Sequence, residues 1–172
     1  FIVKDVKDLA PTLRRAFSIA RSGRPGPVVV DVTKTAQTGE MYYSWPQRMI
    51  LPGYNPTTKA HGRVLSDAAK LFEQSYRPVL YVGGGAARSD AGKLVQELAE
   101  VTNAPIVTTL PARGVVPDSD PKVLGMLGMH GTIAATGAVQ RCDLLVAIGA
   151  RFDDRVTGKL DAFAPGARVI HI

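Results

Sequence analysis

Hydrophobic positions follow two patterns along this chain: short, mainly apolar runs of strand length, and longer stretches with apolar residues three or four positions apart. The strand-length runs are Val28–Val32, Pro78–Val82, Pro105–Thr109, Leu144–Ile148 and Arg168–Ile172, and Leu144–Ile148 is apolar throughout. Such runs are typical of parallel strands that are covered on both faces. Because stretches with helical spacing separate the runs, the pattern predicts right-handed βαβ units. The predicted fold class is therefore α/β, a parallel sheet with helices on both faces.

Four stretches have the apolar spacing of an amphipathic helix. They are a helix after Asp8 with Pro11 in its first turn, Val64–Phe72, Leu94–Val101 with Ser89 or Asp90 as its cap, and Thr132 to about Gln140. Residues 1–32 are predicted to form the C-terminal end of a preceding domain. Residues 33–61 are rich in proline and lack periodicity, which predicts a linker between domains. A second domain is predicted over 62–172. Since the chain starts at Phe1 and ends within a strand-like run, we expect it to be part of a longer protein.

The amino-acid composition limits which kinds of ligand or surface the chain is expected to bind. With 172 residues, 45% of them hydrophobic, the chain suffices for one full core. No apolar run approaches the ~18 residues of a membrane span. The net charge is +6, but the lysines and arginines are scattered and aromatic residues make up only 6%. This distribution does not favour nucleic acid. A small anionic ligand such as a diphosphate would explain local arginines equally well.

Candidate chemistry is densest in the stretch Leu144–Lys159. A buried strand is predicted to open into Gly149, at the carboxyl end where open α/β sheets bind ligands. Four charged residues follow within five positions: Arg151, Asp153, Asp154 and Arg155. The cluster indicates a binding site, and a salt-bridged turn that caps the strand is the alternative. The single cysteine excludes a disulfide within the chain and a cysteine-based zinc site, and the histidines lack metal-ligand spacing.

Two glycine-rich segments are further candidates. Gly83 and Gly85 match the first two glycines of the dinucleotide-binding fingerprint, but Arg88 stands at the third. Gly84 and Gly85 would let a ligand approach the backbone, or would simply allow a tight turn from strand to helix. Gly128–Gly131 precedes a helix whose N-terminus suits a phosphate or a polarisable ring. His130 is either a ligand contact or a turn residue.

Four segments together resemble the catalytic subunits of the acetolactate (acetohydroxyacid) synthase family. They read RPGPVVVDV, PVLYVGGG, MLGMHG and GARFDDRVTGKL, and the resemblance runs along the whole chain. It implies that residues 1–32 end a pyrimidine-binding domain, that 33–61 link two domains, and that 62–172 form most of a Rossmann-like central domain that binds FAD.

The resemblance also implies particular site residues. It places FAD against Arg24, Gly84, Gly85, Thr109, Leu110, Leu127, Gly128, Met129, His130, Gly149, Ala150, Arg151, Phe152 and Asp153. Asp154 and Arg155 match positions that border the substrate channel, where herbicides bind. No catalytic residue and no metal ligand is expected within the chain.

The activity implied for the longer protein is the condensation of pyruvate with a second 2-ketoacid, with loss of CO₂, on thiamine diphosphate. The catalytic glutamate and the segment that holds Mg²⁺ and thiamine diphosphate are expected outside these residues, so the chain alone should be inactive. The resemblance further implies a homo-oligomer with a separate regulatory subunit. The expected location is the cytoplasm in a bacterium or the plastid in a plant.

Three alternatives are weighed against this interpretation. The chain could be a free-standing nucleotide-binding module, or the central domain of a related enzyme such as glyoxylate carboligase or pyruvate oxidase. The RFDDRVTGK segment disfavours those relatives. A sirtuin-type deacylase has a related sheet but needs a four-cysteine zinc site, which one cysteine cannot form.

Overall fold

The computed structural model of the chain describes all residues from 1 to 172, and they divide into two units. The N-terminal unit is Phe1–Lys59, and the C-terminal unit is Ala60–Ile172. No helix in either unit has both the length and the apolar character that a membrane crossing requires. The assignment of residues 1–32 to the end of another domain stays a prediction.

The N-terminal unit contains one short parallel strand pair and two helices. Its elements are β1 (Ile2–Val3), a 3₁₀ helix (Val6–Asp8), α1 (Leu9–Arg21), β2 (Asp31–Val32) and α2 (Lys34–Thr38). Helix α1 begins after Asp8 as predicted, although the Asp8 side chain makes no capping hydrogen bond. The predicted buried strand Val28–Val32 is wrong, because only its last two residues pair and Val29 is 78% exposed.

The segment predicted as an interdomain linker contains an ordered turn of helix. Helix α2 begins after Thr33, whose hydroxyl oxygen accepts the N–H of Ala36. The Trp45 ring lies 5.8 Å from the guanidinium carbon of Arg14. The Tyr54 hydroxyl accepts the N–H of Gly23 at 2.8 Å. Trp45 and Tyr54 thus fix the segment within the N-terminal unit, where the sequence showed no periodicity.

The C-terminal unit alternates strands and helices. Its helices are α3 (Gly62–Glu73), α4 (Gly84–Arg88), α5 (Gly92–Thr102), α6 (Ile133–Arg141) and α7 (Asp154–Thr157). Its strands are β3 (Pro78–Val82), β4 (Ile106–Thr108), β5 (Val123–Met126), β6 (Leu144–Ile148) and β7 (Arg168–His171). Short 3₁₀ helices cover Leu110–Ala112 and Leu160–Ala162.

The five strands form one parallel sheet in the order β5-β4-β3-β6-β7. Side chains of β3 alternate between two cores, with Val79 and Tyr81 on one face and Leu80 and Val82 on the other. Helix α6 packs on the first face and helix α5 on the second. The predicted α/β class, with helices on both faces of a parallel sheet, is confirmed.

In this unit the structure differs from the sequence prediction at three places. Strand β5 was not predicted, because Gly125 interrupts the apolar run of the strand. The φ of Gly125 is +102°, and a Cβ on this residue would lie 2.6 Å from Thr132 Cγ2. Neither Ser89 nor Asp90 caps α5, since Ser89 follows the end of α4 and its hydroxyl donates back to the carbonyl of Gly85 in that helix. The predicted apolar face of α5 also includes two exposed residues, Leu94 and Val101.

Candidate functional site

Four segments that the sequence assigns to the site leave the sheet at the carboxyl ends of four neighbouring strands. They are Gly84–Gly85 after β3, Thr109–Leu110 after β4, Leu127–His130 after β5, and Gly149–Asp153 after β6. Because parallel strands end at the same edge, the fold brings these segments to one edge of the sheet. The winding reverses between β3 and β6, and the crevice outside such a switch point is where open α/β sheets bind ligands.

The loop after β3 and the loop after β6, called the two central loops below, cross with their main chains in direct contact. A Cβ on Gly83 would lie 2.3 Å from Ala150 Cα, and one on Gly85 would lie 2.7 Å from Gly149 Cα. Gly149 has a φ of +59°, and the N–H of Gly85 donates to its carbonyl at 2.8 Å. The tight turn proposed for the triple glycine is present. It accounts for glycine at positions 83 and 85 without any ligand.

Next to this crossing, the segment after β4 leaves a polar atom without a partner. The N–H of Thr109 donates to the carbonyl of Val82 at 2.9 Å, but its Oγ1 is buried and makes no hydrogen bond. Buried polar atoms are nearly always paired, so an unpaired one at a sheet edge points to a missing partner. Leu110 is 71% exposed, and a Cβ on Gly84 would touch the Pro111 side chain at 3.0 Å.

The loop after β5 joins the site through its glycine and its exposed side chains. Leu127 is buried, Gly128 has a φ of +103°, and Met129 is 71% exposed. His130 is exposed and makes no side-chain hydrogen bond. The N–H of Met129 lies 3.4 Å from the carbonyl of Arg155, so this loop contacts α7. The structure therefore brings the Gly128 loop and the charged cluster together.

Thr132 fixes the start of the helix that follows. Its hydroxyl oxygen accepts the N–H of Ala135 at 3.0 Å and donates to the carbonyl of Leu124 at 2.6 Å. The predicted start of the helix at Thr132 is confirmed. The capping hydroxyl satisfies one of the N–H groups at this helix end, so fewer of them can reach a ligand.

The charged cluster after β6 is a turn closed by an ion pair. The Arg151 guanidinium pairs with the carboxylate of Asp153, and the Arg151 side chain is 69% exposed. Oδ1 of Asp153 accepts the N–H of Arg155 at 3.1 Å and so caps α7. This N–H, together with the Arg151 charge, holds the pKa of Asp153 below its usual range. The ion pair matches the alternative prediction of a salt-bridged turn after the strand. The Arg151 side chain is nevertheless exposed, so a ligand could reach it.

An aromatic cluster lies beneath the same turn. The Phe152 ring lies 6.3 Å from Tyr81, 6.1 Å from Phe163 and 5.3 Å from His171, between ring centroids. Nε2 of His171 lies 2.8 Å from the carbonyl oxygen of Ala150. Tyr81 is fully buried and its hydroxyl has no partner. Burial, and after it the charge of Asp153, raises the pKa of Tyr81 to about 12.

Sequence reasoning did not single out Tyr81 or His171. Tyr81 sits inside an apolar run and has the pattern of an ordinary core residue, and His171 lies two strands away from Tyr81. The only available signal was that each is a polar residue within a strand run. Pairing of β7 beside β6 was needed to bring His171 to the loop.

The remaining predicted residues are exposed. Arg24 lies in the N-terminal unit, in the bend after α1. Asp154 and Arg155 begin α7, with side chains 86% and 78% exposed and a carboxylate-to-Nε distance of 3.8 Å. No cluster of three or more histidine, cysteine, aspartate or glutamate side chains in the chain has the arrangement of a metal site.

A doubly wound parallel sheet with its candidate site at the switch point defines a Rossmann-like α/β domain. The chain belongs to the thiamine pyrophosphate enzymes, because the family model of their central domain matches residues 65–172, more than half of the chain. This match agrees with the fold and with the resemblance seen in the sequence.

Among named proteins, the chain is similar to acetolactate synthases. It is 57% identical to "Acetolactate synthase" of Mycobacterium bovis over 99% of the chain and 28% of that protein. It is 50% identical to "Acetolactate synthase large subunit" of Corynebacterium glutamicum over 99% of the chain and 27% of that protein. For "Probable acetolactate synthase large subunit" of Methanocaldococcus jannaschii the identity is 47% over 100% of the chain and 30% of that protein. The chain thus spans less than a third of these relatives.

Proposed function

We propose that the C-terminal unit holds FAD within the catalytic subunit of an acetolactate synthase. The observation that carries the proposal is the gathering of four glycine-rich or polar segments at the switch point of the sheet. The unpaired Thr109 Oγ1 at the same edge supports it, since a ligand would supply the missing partner.

The residues at this edge fit the chemistry of a flavin dinucleotide. Arg151 is exposed and can exchange the Asp153 carboxylate for a diphosphate, the kind of anion that a guanidinium binds in a bidentate way. Leu110 and Met129 are apolar side chains exposed to 71%, and Phe152 is exposed to 37%. Exposed apolar side chains of this kind suit a flat aromatic ring.

The remaining predicted contacts belong to the same proposal. The loops described above include Gly84, Gly85, Leu127, Gly128, His130, Gly149 and Ala150. The contact predicted for Arg24 rests on the family resemblance alone. Asp154 and Arg155 would face the substrate channel, consistent with their exposure.

For the longer protein, we extend the proposal to the reaction. Pyruvate would lose CO₂ on thiamine diphosphate, and its two-carbon unit would pass to a second 2-ketoacid. In this reaction the flavin supplies no net oxidation. Thiamine diphosphate, Mg²⁺ and the activating glutamate would be held by segments outside these 172 residues. A homo-oligomer with a regulatory subunit, located in the cytoplasm of a bacterium or the plastid of a plant, completes the proposal.

The direct test uses the full-length protein. After purification without added flavin, we expect a visible flavin spectrum, and acetolactate should form from pyruvate with thiamine diphosphate and Mg²⁺. Parallel assays with glyoxylate, and for oxidation of pyruvate, distinguish glyoxylate carboligase and pyruvate oxidase. Protein that neither contains nor takes up flavin would overturn the cofactor assignment, and absence of acetolactate would overturn the activity.

A further inference from the structure

The segment between β6 and α7 is held at both of its ends. At its start, the N–H of Gly149 donates to the carbonyl of Ile172 at 2.9 Å, and its carbonyl accepts from Gly85. At its end, Asp153 caps α7, and its carbonyl accepts the N–H groups of Val156 and Thr157. Arg151, which carries the proposed diphosphate contact, lies between these anchors.

Between the anchors, one side chain from another strand holds the main chain. Nε2 of His171, on β7, lies 2.8 Å from the carbonyl oxygen of Ala150. Because a carbonyl only accepts, Nε2 must carry the proton. The same imidazole packs edge-on against the Phe152 ring, at 5.3 Å between centroids and 75° between planes. His171 therefore contacts the residue before Arg151 and the residue after it.

We propose that His171 is a positioning residue for Arg151 in the ligand site. It holds the main chain before Arg151 through its hydrogen bond to the Ala150 carbonyl. It holds the side chain of the residue after Arg151 through its contact with the Phe152 ring. The guanidinium then stays at the sheet edge in both the free and the bound protein. This inference rests on the proposed flavin site and names a residue on which that site depends.

The surroundings of Phe152 support this role. Its ring also lies near Tyr81 and Phe163, so the aromatic cluster has one fixed wall from β3 and another from the chain before β7. Loss of the imidazole would leave Phe152 packed on those two rings, and the fold should persist. The main chain at Ala150 would lose its hydrogen bond, and Arg151 would sample more positions.

Three substitutions separate the two contacts. His171→Phe keeps an aromatic ring against Phe152 but removes the donor. His171→Gln keeps an N–H donor near the Ala150 carbonyl but removes the ring, and His171→Ala removes both. The matched control is Arg168→Gln, an exposed change on the same strand at its opposite end.

The first measurement needs no ligand. In the full-length protein without flavin, hydrogen exchange of residues 150–153 should accelerate in His171→Ala and His171→Phe but not in Arg168→Gln. His171→Gln should exchange more slowly than His171→Ala, because the donor is restored. Unchanged exchange in His171→Ala would overturn the inference, whatever the ligand proves to be.

The second measurement is FAD binding by the same proteins. The dissociation constant should rise about three- to tenfold in His171→Phe, the effect of losing one net hydrogen bond. At saturating FAD, the visible circular dichroism of the bound flavin should also change, which a loss of stability alone would not produce. If the wild type and His171→Ala bind FAD equally well, this inference is overturned and the proposed function is not. Wild type that binds no FAD overturns the proposed function as well.

Discussion

Arg151 combines an exposed guanidinium with a carboxylate partner on its own turn. In the proposed site a diphosphate replaces that carboxylate as the partner of Arg151. In the full-length enzyme, Arg151→Ala should weaken flavin retention by about 1.5–3 kcal/mol, the scale of a hydrogen bond to a charged group. The measurement is the flavin content after purification and its dissociation constant. Arg141→Ala, an exposed arginine at the opposite edge of the sheet, is the control. Unchanged flavin retention in Arg151→Ala would contradict the assignment.

Asp154 and Arg155 are predicted to act on substrate and inhibitor rather than on folding. Their side chains are mostly exposed, and ion pairs of exposed side chains contribute little to stability. Arg155→Ala in the full-length enzyme should therefore change the inhibition constants of channel-binding herbicides while leaving Tm nearly constant. Lys70→Ala, which removes another exposed ion pair, serves as the control. A large fall in Tm with constant inhibition would mean that the pair is structural.

The loop after β3 and the loop after β6 pack so closely that their glycines leave no room for side chains. A Cβ on Gly149 would lie 2.3 Å from the amide nitrogen of Ala86, and the residue has a positive φ. Gly149→Ala should lower the free energy of unfolding by at least about 2 kcal/mol, through overpacking and left-handed backbone strain together. Chemical unfolding of the 172-residue chain measures it.

Gly166→Ala is the matched control for this crossing. Its Cβ would meet only the Cys142 carbonyl oxygen at 3.9 Å, an ordinary contact distance. We expect little change in stability. If both alanine variants unfolded at the same denaturant concentration as wild type, the close packing of the two loops would be refuted.

Asp143 joins the start of β6 to the turn before β3. Burial of its carboxylate raises its pKa, but hydrogen bonds from the Ser75 hydroxyl and the N–H groups of Tyr76 and Arg77 outweigh this and lower it. Since the pKa is lower in the folded state, the stabilisation is present above the unfolded pKa of about 4 and is lost as pH falls through the folded value.

Asp143→Asn tests this junction. At neutral pH it should unfold at a lower temperature than wild type, and between about pH 5 and pH 2 its stability should fall less steeply. Thermal unfolding across that range measures the difference, with Asp67→Asn on the exposed face of α3 as the control. Parallel pH profiles for wild type and Asp143→Asn would show that Asp143 does not contribute to acid unfolding.

For the molecule as a whole, we predict that the 172-residue chain made alone folds but forms no acetolactate. The C-terminal unit buries a core on each face of its sheet, which is enough for independent folding. The chain contains no Gly-Asp-Gly segment to hold a metal and a diphosphate. Circular dichroism and an assay with pyruvate, thiamine diphosphate, Mg²⁺ and FAD test both statements. Product above a no-protein blank would place the catalytic machinery within these residues.

Sequence alone determined the elements whose pattern is local. Pro78–Val82 and Leu144–Ile148 were predicted as strands and are strands over the same residues, because an unbroken apolar run needs only its own neighbours to be recognised. The start of the helix at Thr132 was likewise readable from its cap. The class of fold and the segments proposed for the site followed from the same local signals and from the family resemblance.

Only the tertiary structure decided which strands are neighbours and which residues contact each other in the loops at the strand ends. Strand β5 escaped prediction because Gly125 breaks its pattern, and glycine there is required by contact with Thr132 rather than by the strand. Gly85 meets Gly149 across 64 positions of sequence, and His171 reaches Ala150 only because β7 pairs with β6. Such contacts depend on the order of strands in the sheet, which no local periodicity encodes.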